Sequence, residues 1–202
     1  MDIILIALYL ACELTANVTA SKPVAVAGVV VPAGVFIYAL TFTLIDLINE
    51  RLGKARARQV IYGAFAGNIL LAAYSAFTVW LPPAAFYPHQ GAYATVLGST
   101  PRIVAASLLA YLVSALLDTE IFAWWRVRVR GPRWARVVVS NGVSTFVDSV
   151  VFITGAFYGI LPLWPLIQGQ YIWKMIVTAV SIPLIYLARG EWPAGLRPGE
   201  LA

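Results

Sequence analysis

The chain has 202 residues, of which 61% are hydrophobic and 11% charged, and its formal net charge is +5 at pH 7. This composition is far more apolar than that of soluble globular domains, and it predicts an all-α integral membrane protein. A membrane-spanning helix needs about 20 residues, so the length allows six or seven helices and excludes an additional soluble catalytic or nucleotide-binding module.

Apolar runs bounded by charges, proline or glycine predict six transmembrane helices in one domain covering residues 1–202. The first run contains Glu13 and lacks a basic leader, so we expect a retained helix and not a signal peptide. The connection over residues 81–101 is rich in proline, glycine and aromatic residues, which is typical of an interfacial or partly re-entrant loop. The predicted spans are 3–20, 31–49, 59–80, 102–125, 136–159 and 167–188.

The basic residues predict the orientation. Six spans place both termini, the 2–3 connection and the 4–5 connection on one side of the membrane. That side carries eleven basic residues, whereas the other side has only Lys22 and Arg102 near its loops. Such an excess predicts cytoplasmic N- and C-termini in the inner or plasma membrane, and it makes a nucleic-acid patch improbable. The eleven are Arg51, Lys54, Arg56, Arg58, Arg126, Arg128, Arg130, Arg133, Arg136, Arg189 and Arg197.

Few residues are suited to metal or redox chemistry. Cys12 is the single cysteine and His89 the single histidine, so neither a disulfide framework nor a transition-metal site is predicted, and no cofactor is expected. The sequence lacks the HExxH and GxSxG motifs and the Gly-Asp pair of intramembrane proteases, so it does not predict an enzyme.

Polar residues within the spans predict a polar interior. A charge at the centre of a bilayer costs about 2.5–3.5 kcal/mol on insertion scales, so these side chains must face the bundle, water or one another. Tyr9, Glu13 and Asn17 repeat at helical spacing and form one such stripe. Serine, threonine and asparagine on these stripes also fit plain interhelical hydrogen bonding. The strongly polar residues are Glu13, Asn17, Asp46, Asn49, Asn68, Asp118, Asn141, Asp148 and Lys174.

The depths of the charged residues predict their roles. Asp148 lies nearest the middle of its span, which makes it the main candidate for a functional carboxylate. Glu13 and Lys174 lie at similar depths, which predicts a structural or gating ion pair. Asp46, Glu50 and Asp118 lie toward the cytoplasmic ends, near arginines, where a gating or structural role is predicted.

Two small-residue motifs, Gly63-x-x-x-Gly67 and Gly155-x-x-x-Gly159, predict close approach between helices. Such faces also make a homodimer a reasonable expectation.

The order and spacing of several short motifs resemble the queuosine precursor transporter family, also called the vitamin uptake transporter family, along nearly the whole chain. The resemblance implies a six-helix importer of 7-cyano-7-deazaguanine or 7-aminomethyl-7-deazaguanine, which are precursors of queuosine and archaeosine in tRNA. The residues that carry it are Asn17 through Lys22, Pro32-Ala-Gly34, Asp46-x-x-x-Glu50-x-x-Gly53, Gly98-Ser-Thr-Pro101-Arg102, Ser107, Asp118, Phe122, Arg136, Ser140, Asp148, Phe152, Lys174 and Pro183.

The chemistry of a guanine-like ring selects candidate binding residues. Its two adjacent N–H donors suit a carboxylate, for which Asp148 or Glu13 is available, and its carbonyl suits an amide or ammonium donor. Its flat faces suit aromatic walls. Adenine reverses the donor and acceptor edge and would leave the carboxylate unpaired. The candidate substrate-binding residues are Asp148, Glu13, Asn17, Asn141, Gln170, Lys174, Phe152 and Trp173.

Other functions fit the same composition. A substrate-binding subunit of an energy-coupling vitamin or nucleobase transporter also has about six helices, and Ala7-x-x-x-Ala11 or Ala16-x-x-x-Ala20 would be its docking face. A purely structural membrane protein is a further alternative. Proton coupling through a buried carboxylate and facilitated diffusion both remain open.

Overall fold

Helices form most of the regular structure of this protein. The computed structural model describes residues 2–128 and 133–188, without the side chains at 42, 46, 49–50, 54, 115, 118–120, 122–128, 133–141, 178 and 180–188. The helices are α1 (Asp2–Thr19), α2 (Val35–Leu52), α3 (Lys54–Trp80), α4 (Gln90–Leu97), α5 (Thr100–Arg128), α6 (Arg133–Phe157) and α7 (Leu163–Ala188). Two short strands, β1 (Pro23–Val26) and β2 (Val29–Pro32), lie between α1 and α2.

The long helices coincide with the predicted spans. Each of the six predicted segments matches a helix of at least 18 residues, with boundaries that differ by no more than five residues. Within the described part of the chain, three stretches have both the length and the apolar composition to cross a membrane, namely Asp2–Thr19, Ala55–Trp80 and Gln90–Ser114. Shorter apolar helical stretches are Val35–Ile45 and Gly142–Phe157. The structure therefore confirms a mostly helical protein with long apolar helices.

A β-hairpin lies between the first two helices, and its second strand includes residues 31 and 32, which the predicted second span counted as helix. β1 and β2 pair antiparallel through a two-residue turn, in which Ala27 has φ 50° and Gly28 has φ 80°. Two positive φ angles define the type I′ turn that suits the twist of a two-residue hairpin. The hairpin packs on α7, because Gly169 lies directly against the Val30 backbone and Val31 is 1% exposed. We call the end of the bundle that carries this structure the hairpin end.

Two apolar clusters of buried side chains lie toward opposite ends of the bundle. One joins the hairpin-end parts of α1, α5, α6 and α7, around Ile103, Ile153 and Leu166. The other joins α1, α2 and α3 closer to the opposite end, around Tyr9 and Ile48. Along α1, Glu13 and Asn17 lie between Tyr9 of one cluster and Ala20 of the other, so their polar groups are placed between the two apolar regions.

Close packing at glycine holds α5 against α6. A Cβ on Gly155 would lie 2.9 Å from the Ala106 Cβ, so the predicted close approach at this position is confirmed. Gly159 instead has φ 79° just beyond the end of α6. Among the described residues the other motif makes no such approach, since Gly63 has open space around it and Gly67 meets the Leu14 side chain at 3.7 Å, and a dimer face at this motif stays a prediction.

Arg102 links the start of α5 to the end of α6. Its guanidinium donates to the Gly155 carbonyl at 2.8 Å and to the Tyr158 carbonyl at 2.7 Å. The last carbonyls of a helix have no partner within the helix, and a nearby arginine both bonds them and complements the helix dipole. Arg102 therefore caps the C-terminal end of α6, in addition to being one of the basic residues near the loops.

The two small-residue motifs of the first predicted span differ in their exposure. Ala16 and Ala20 are 5% and 4% exposed and pack inside the bundle, whereas Ala7 and Ala11 are exposed. Only the latter pair is accessible to another subunit.

Candidate substrate-binding site

A cavity opens between α1, β2, α2, α5, α6 and α7 in the half of the bundle nearer the hairpin. It contains about 420 Å³ of unfilled space, part of which is open to solvent. Apolar surface with a small number of polar groups is typical of small-molecule sites in proteins. We call it the first cavity, and it is lined by Ala16, Asn17, Ala20, Pro32, Gly34, Val35, Tyr38, Ser107, Ala110, Asp148, Phe152, Gln170 and Lys174.

A salt bridge between α6 and α7 forms one wall of the first cavity. The Lys174 ammonium donates to Asp148 Oδ2, and the side chains of the two residues are 8% and 15% exposed. The second carboxylate oxygen, Oδ1, accepts a long hydrogen bond of 3.5 Å from the Ser114 hydroxyl. A cation and an anion of this burial stabilise each other, and they place a strong donor beside a strong acceptor on a cavity wall.

Tyr38 covers the same salt bridge from α2. The Lys174 ammonium lies 5.2 Å from the centroid of the Tyr38 ring, within the range of a cation–π interaction. Phe152, one helical turn beyond Asp148 on α6, contributes a second aromatic ring to the lining. The cavity therefore has aromatic surface next to its charged pair.

Two buried amides complete the polar lining. Gln170 lies one turn before Lys174 on α7 and is 3% exposed. Asn17 is 5% exposed, and its Nδ2 donates to Asn68 Oδ1 of α3 at 2.7 Å. Together these residues offer amide donors and acceptors close to the Asp148–Lys174 pair.

Glu13 faces a different space. It lines a neighbouring cavity between α1, α2, α3 and α5, and its carboxylate accepts from the Tyr9 hydroxyl. Glu13 does experience the charge of Lys174, but the salt bridge on Lys174 is made by Asp148. The ion pair predicted from depth alone thus had the wrong carboxylate, because Asp148 on the adjacent helix α6 reaches the ammonium.

Trp173 lies beside the site without lining it. Its ring packs edge-to-face on Phe36 with centroids 4.8 Å apart, and its buried Nε1 has no hydrogen-bond partner among the side chains and backbone that the structure describes. The stacking role predicted for Trp173 therefore has no support from the cavity lining.

Several predicted residues lie outside the described side chains. These are Asn141 among the candidate binding residues, and Asp46, Glu50 and Asp118 among the gating or structural residues.

The structure brings together five of the predicted binding residues and adds others. Asn17, Asp148, Phe152, Gln170 and Lys174 all line the first cavity. The prediction omitted Tyr38, although that residue begins a polar-aromatic stripe on α2, and it did not include Asn68 among the binding residues. An asparagine within an apolar span was the available signal for a specific hydrogen-bond partner.

Comparison with known proteins agrees with this architecture. Residues 32–188 match the family described as "Putative vitamin uptake transporter". The chain is also 30% identical over 183 residues to the "Probable queuosine precursor transporter" of Bacillus subtilis (strain 168), an alignment that covers 88% of this chain and 80% of that protein. No solved structure matches the chain significantly. The chain belongs to the vitamin uptake transporter family, a family of transporters and not of enzymes.

Proposed function

We propose that this protein imports a 7-deazaguanine precursor of queuosine or archaeosine, either 7-cyano-7-deazaguanine or 7-aminomethyl-7-deazaguanine. The Bacillus subtilis relative carries a matching name, and the family is one of transporters. The observation that carries the proposal is the Asp148–Lys174 pair on the wall of the first cavity, next to two buried amides and two aromatic rings.

The charged pair is complementary to one edge of the proposed substrate. That edge presents a carbonyl oxygen beside an N–H group and an exocyclic amino group. In the proposed complex the Lys174 ammonium donates to the carbonyl, and the Asp148 carboxylate accepts from the two nitrogen donors. Because Lys174 and Asp148 already contact each other, a donor and an acceptor lie side by side on the cavity wall, as the adjacent carbonyl and N–H of the ring require.

The rest of the lining suits the remainder of the ring. Phe152 and Tyr38 provide aromatic surface for the ring faces, where stacking on a base contributes about 1–3 kcal/mol. Gln170 and Asn17 provide amide groups that can hydrogen-bond the substituent at position 7. Adenine presents an amino group where the substrate has its carbonyl, so it would face Lys174 donor to donor.

The proposed arrangement in the membrane uses all six long helices as spans. The arginine-rich segments between α2 and α3, between α5 and α6, and after α7 then lie in the cytoplasm with both termini. The hairpin end faces outward, so the first cavity lies in the outer half of the bilayer of the inner or plasma membrane. Substrate enters there and leaves toward the cytoplasm.

Uptake in living cells tests the proposal. A bacterial host that cannot synthesise 7-deazaguanines, and that lacks its own importer, is supplied with either precursor while expressing this protein. We expect queuosine in its tRNA at nanomolar external precursor, and none when the host expresses Asp148→Asn. Equal modification with and without the protein would contradict the proposal.

A further inference from the structure

A second cavity lies next to the first, displaced toward the end of the bundle opposite the hairpin. It lies between α1, α2, α3 and α5 and contains about 600 Å³ of unfilled space, part of which is open to solvent. Its α1 residues, Tyr9 and Glu13, lie one to two turns farther from the hairpin than Asn17 of the first cavity. On α2 and α5 the lining is displaced in the same direction, to Ile45 and Tyr111.

The second cavity repeats the kinds of groups found in the first. Each has one carboxylate in its lining, Asp148 in the first and Glu13 in the second. Each also has a buried asparagine and aromatic rings, which in the second cavity are Asn68 together with Tyr9, Phe65, Tyr38 and Tyr111. Among the residues that the structure describes, the second lining contains no lysine or arginine, so a ring bound there would have a carboxylate for its N–H edge but no ammonium for its carbonyl.

A thin partition separates the two spaces. Tyr38 and Ser107 line both cavities, so the two spaces are neighbours that share part of their walls. The hydrogen bond from Asn17 to Asn68 joins a residue of the first cavity to a residue of the second at 2.7 Å. These amides are 5% and 2% exposed, and within the described part of the chain neither makes a further side-chain hydrogen bond. A single neutral hydrogen bond is readily exchanged for bonds to a polar ligand.

We propose that the second cavity is a second binding station for the same 7-deazaguanine ring, reached from the first when the Asn17–Asn68 bond opens. This inference rests on the proposed function. The ring passes from a site with both a carboxylate and an ammonium to a site with a carboxylate alone. The second station therefore holds it more weakly and favours release toward the opposite end of the bundle.

Filling the second cavity without touching the first tests this inference. Ala64 of α3 and Thr41 of α2 both line the second cavity only, and each is 3% exposed. Ala64→Leu and Thr41→Phe add bulk to the cavity from two different helices. The matched controls are Ala66→Leu and Leu40→Phe, at neighbouring exposed positions of the same helices. Glu13→Gln removes the charge at nearly constant volume.

The readouts are equilibrium binding to the purified protein and uptake into proteoliposomes, both with 7-cyano-7-deazaguanine, alongside a melting curve for each variant. We expect the filled variants and Glu13→Gln to bind within about threefold of the wild type and to lose tenfold or more in uptake, while both controls keep both activities. If the second cavity were only a packing defect, filling it would leave uptake unchanged or raise stability.

Wild-type uptake by folded Ala64→Leu and Thr41→Phe would overturn the inference. A loss of binding as large as the loss of uptake would also overturn it, because the second cavity would then be part of the first site. A wild-type protein that neither binds nor transports a deazaguanine would refute the proposed function itself, which is a different result.

Discussion

At the scale of single residues, the Asp148–Lys174 pair dominates the candidate site. The two side chains are nearly buried, and each offers the other its main source of charge neutralisation. A charged side chain in an apolar bundle is costly, so these two residues are expected either to bind a ligand or to hold the helices together. Substitutions at the two positions separate these roles.

Asp148→Asn removes the acceptor for the donor edge of the substrate. Two charge-assisted hydrogen bonds of about 1.5–3 kcal/mol each are weakened, so we expect the affinity for a 7-deazaguanine to fall at least about 100-fold and uptake to be lost. The matched control is Asp2→Asn, an aspartate whose side chain is 53% exposed. Folded Asp148→Asn protein with wild-type uptake would remove Asp148 from the site.

Lys174→Met tests the pairing. It leaves the Asp148 carboxylate buried without its cation, which costs about 3–5 kcal/mol when a buried pair is broken on one side. We expect a large loss of thermal stability in detergent that is partly recovered in the Lys174→Met, Asp148→Asn double variant. Combining Lys174→Met with Glu13→Gln should give less recovery. Equal recovery by either second substitution would show that Asp148 is not the specific partner.

The sequence pointed to the ionisable and amide residues that line the first cavity, because such groups are costly in apolar spans. The prediction paired Lys174 with Glu13 because the depth of a residue in the membrane can be counted along its helix. Which helices are neighbours in the bundle cannot be read from the sequence in this way. Tyr38 was missed for a related reason, since a tyrosine on a mixed stripe looks the same whether it covers a cation or faces lipid.

At the scale of elements, the hairpin and the helix junctions position the site. β2 ends at Pro32, which lines the first cavity, and Gly34 then lies directly against the Ala16 backbone. Hydrophobic runs placed all six long helices, because each run is long enough and bounded by breakers. The hairpin escaped prediction, since its turn is Ala-Gly where Asn-Gly or Asp-Gly would have been the clear signal.

Gly169→Ala tests the seating of the hairpin on α7. A Cβ at this position would collide with the Val30 carbonyl oxygen, and a backbone atom cannot rotate away as a flexible side chain can. We expect a loss of about 1–3 kcal/mol of stability, seen as a lower melting temperature, together with weakened binding at the adjacent cavity.

Gly63→Ala is the matched control, because this glycine is also helical and has open space around it. The substitution should stabilise α3 by up to about 1 kcal/mol through helix propensity. Similar melting temperatures for the two variants would show that the hairpin does not depend on the close contact at Gly169.

At the scale of the whole molecule, the distribution of arginine predicts the topology. In a Cys12→Ser background, a cysteine replacing Arg130 should react with a membrane-impermeant thiol reagent only from the cytoplasmic side, and one replacing His89 only from outside. Labelling of intact cells and of inverted vesicles gives the two readings. The reverse pattern would mean that the protein has the opposite orientation, with the first cavity in the inner half of the bilayer.

The central claim is that the cavity around Asp148 and Lys174 recognises a 7-deazaguanine, and ligand-induced thermal stabilisation of the purified protein tests it most directly. The panel contains 7-cyano-7-deazaguanine, 7-aminomethyl-7-deazaguanine, guanine, adenine and a set of vitamins. We predict a rise in melting temperature with at least one deazaguanine and none with adenine, and loss of that rise in Asp148→Asn. Stabilisation by a vitamin and by no purine would contradict both the substrate and the role of the charged pair.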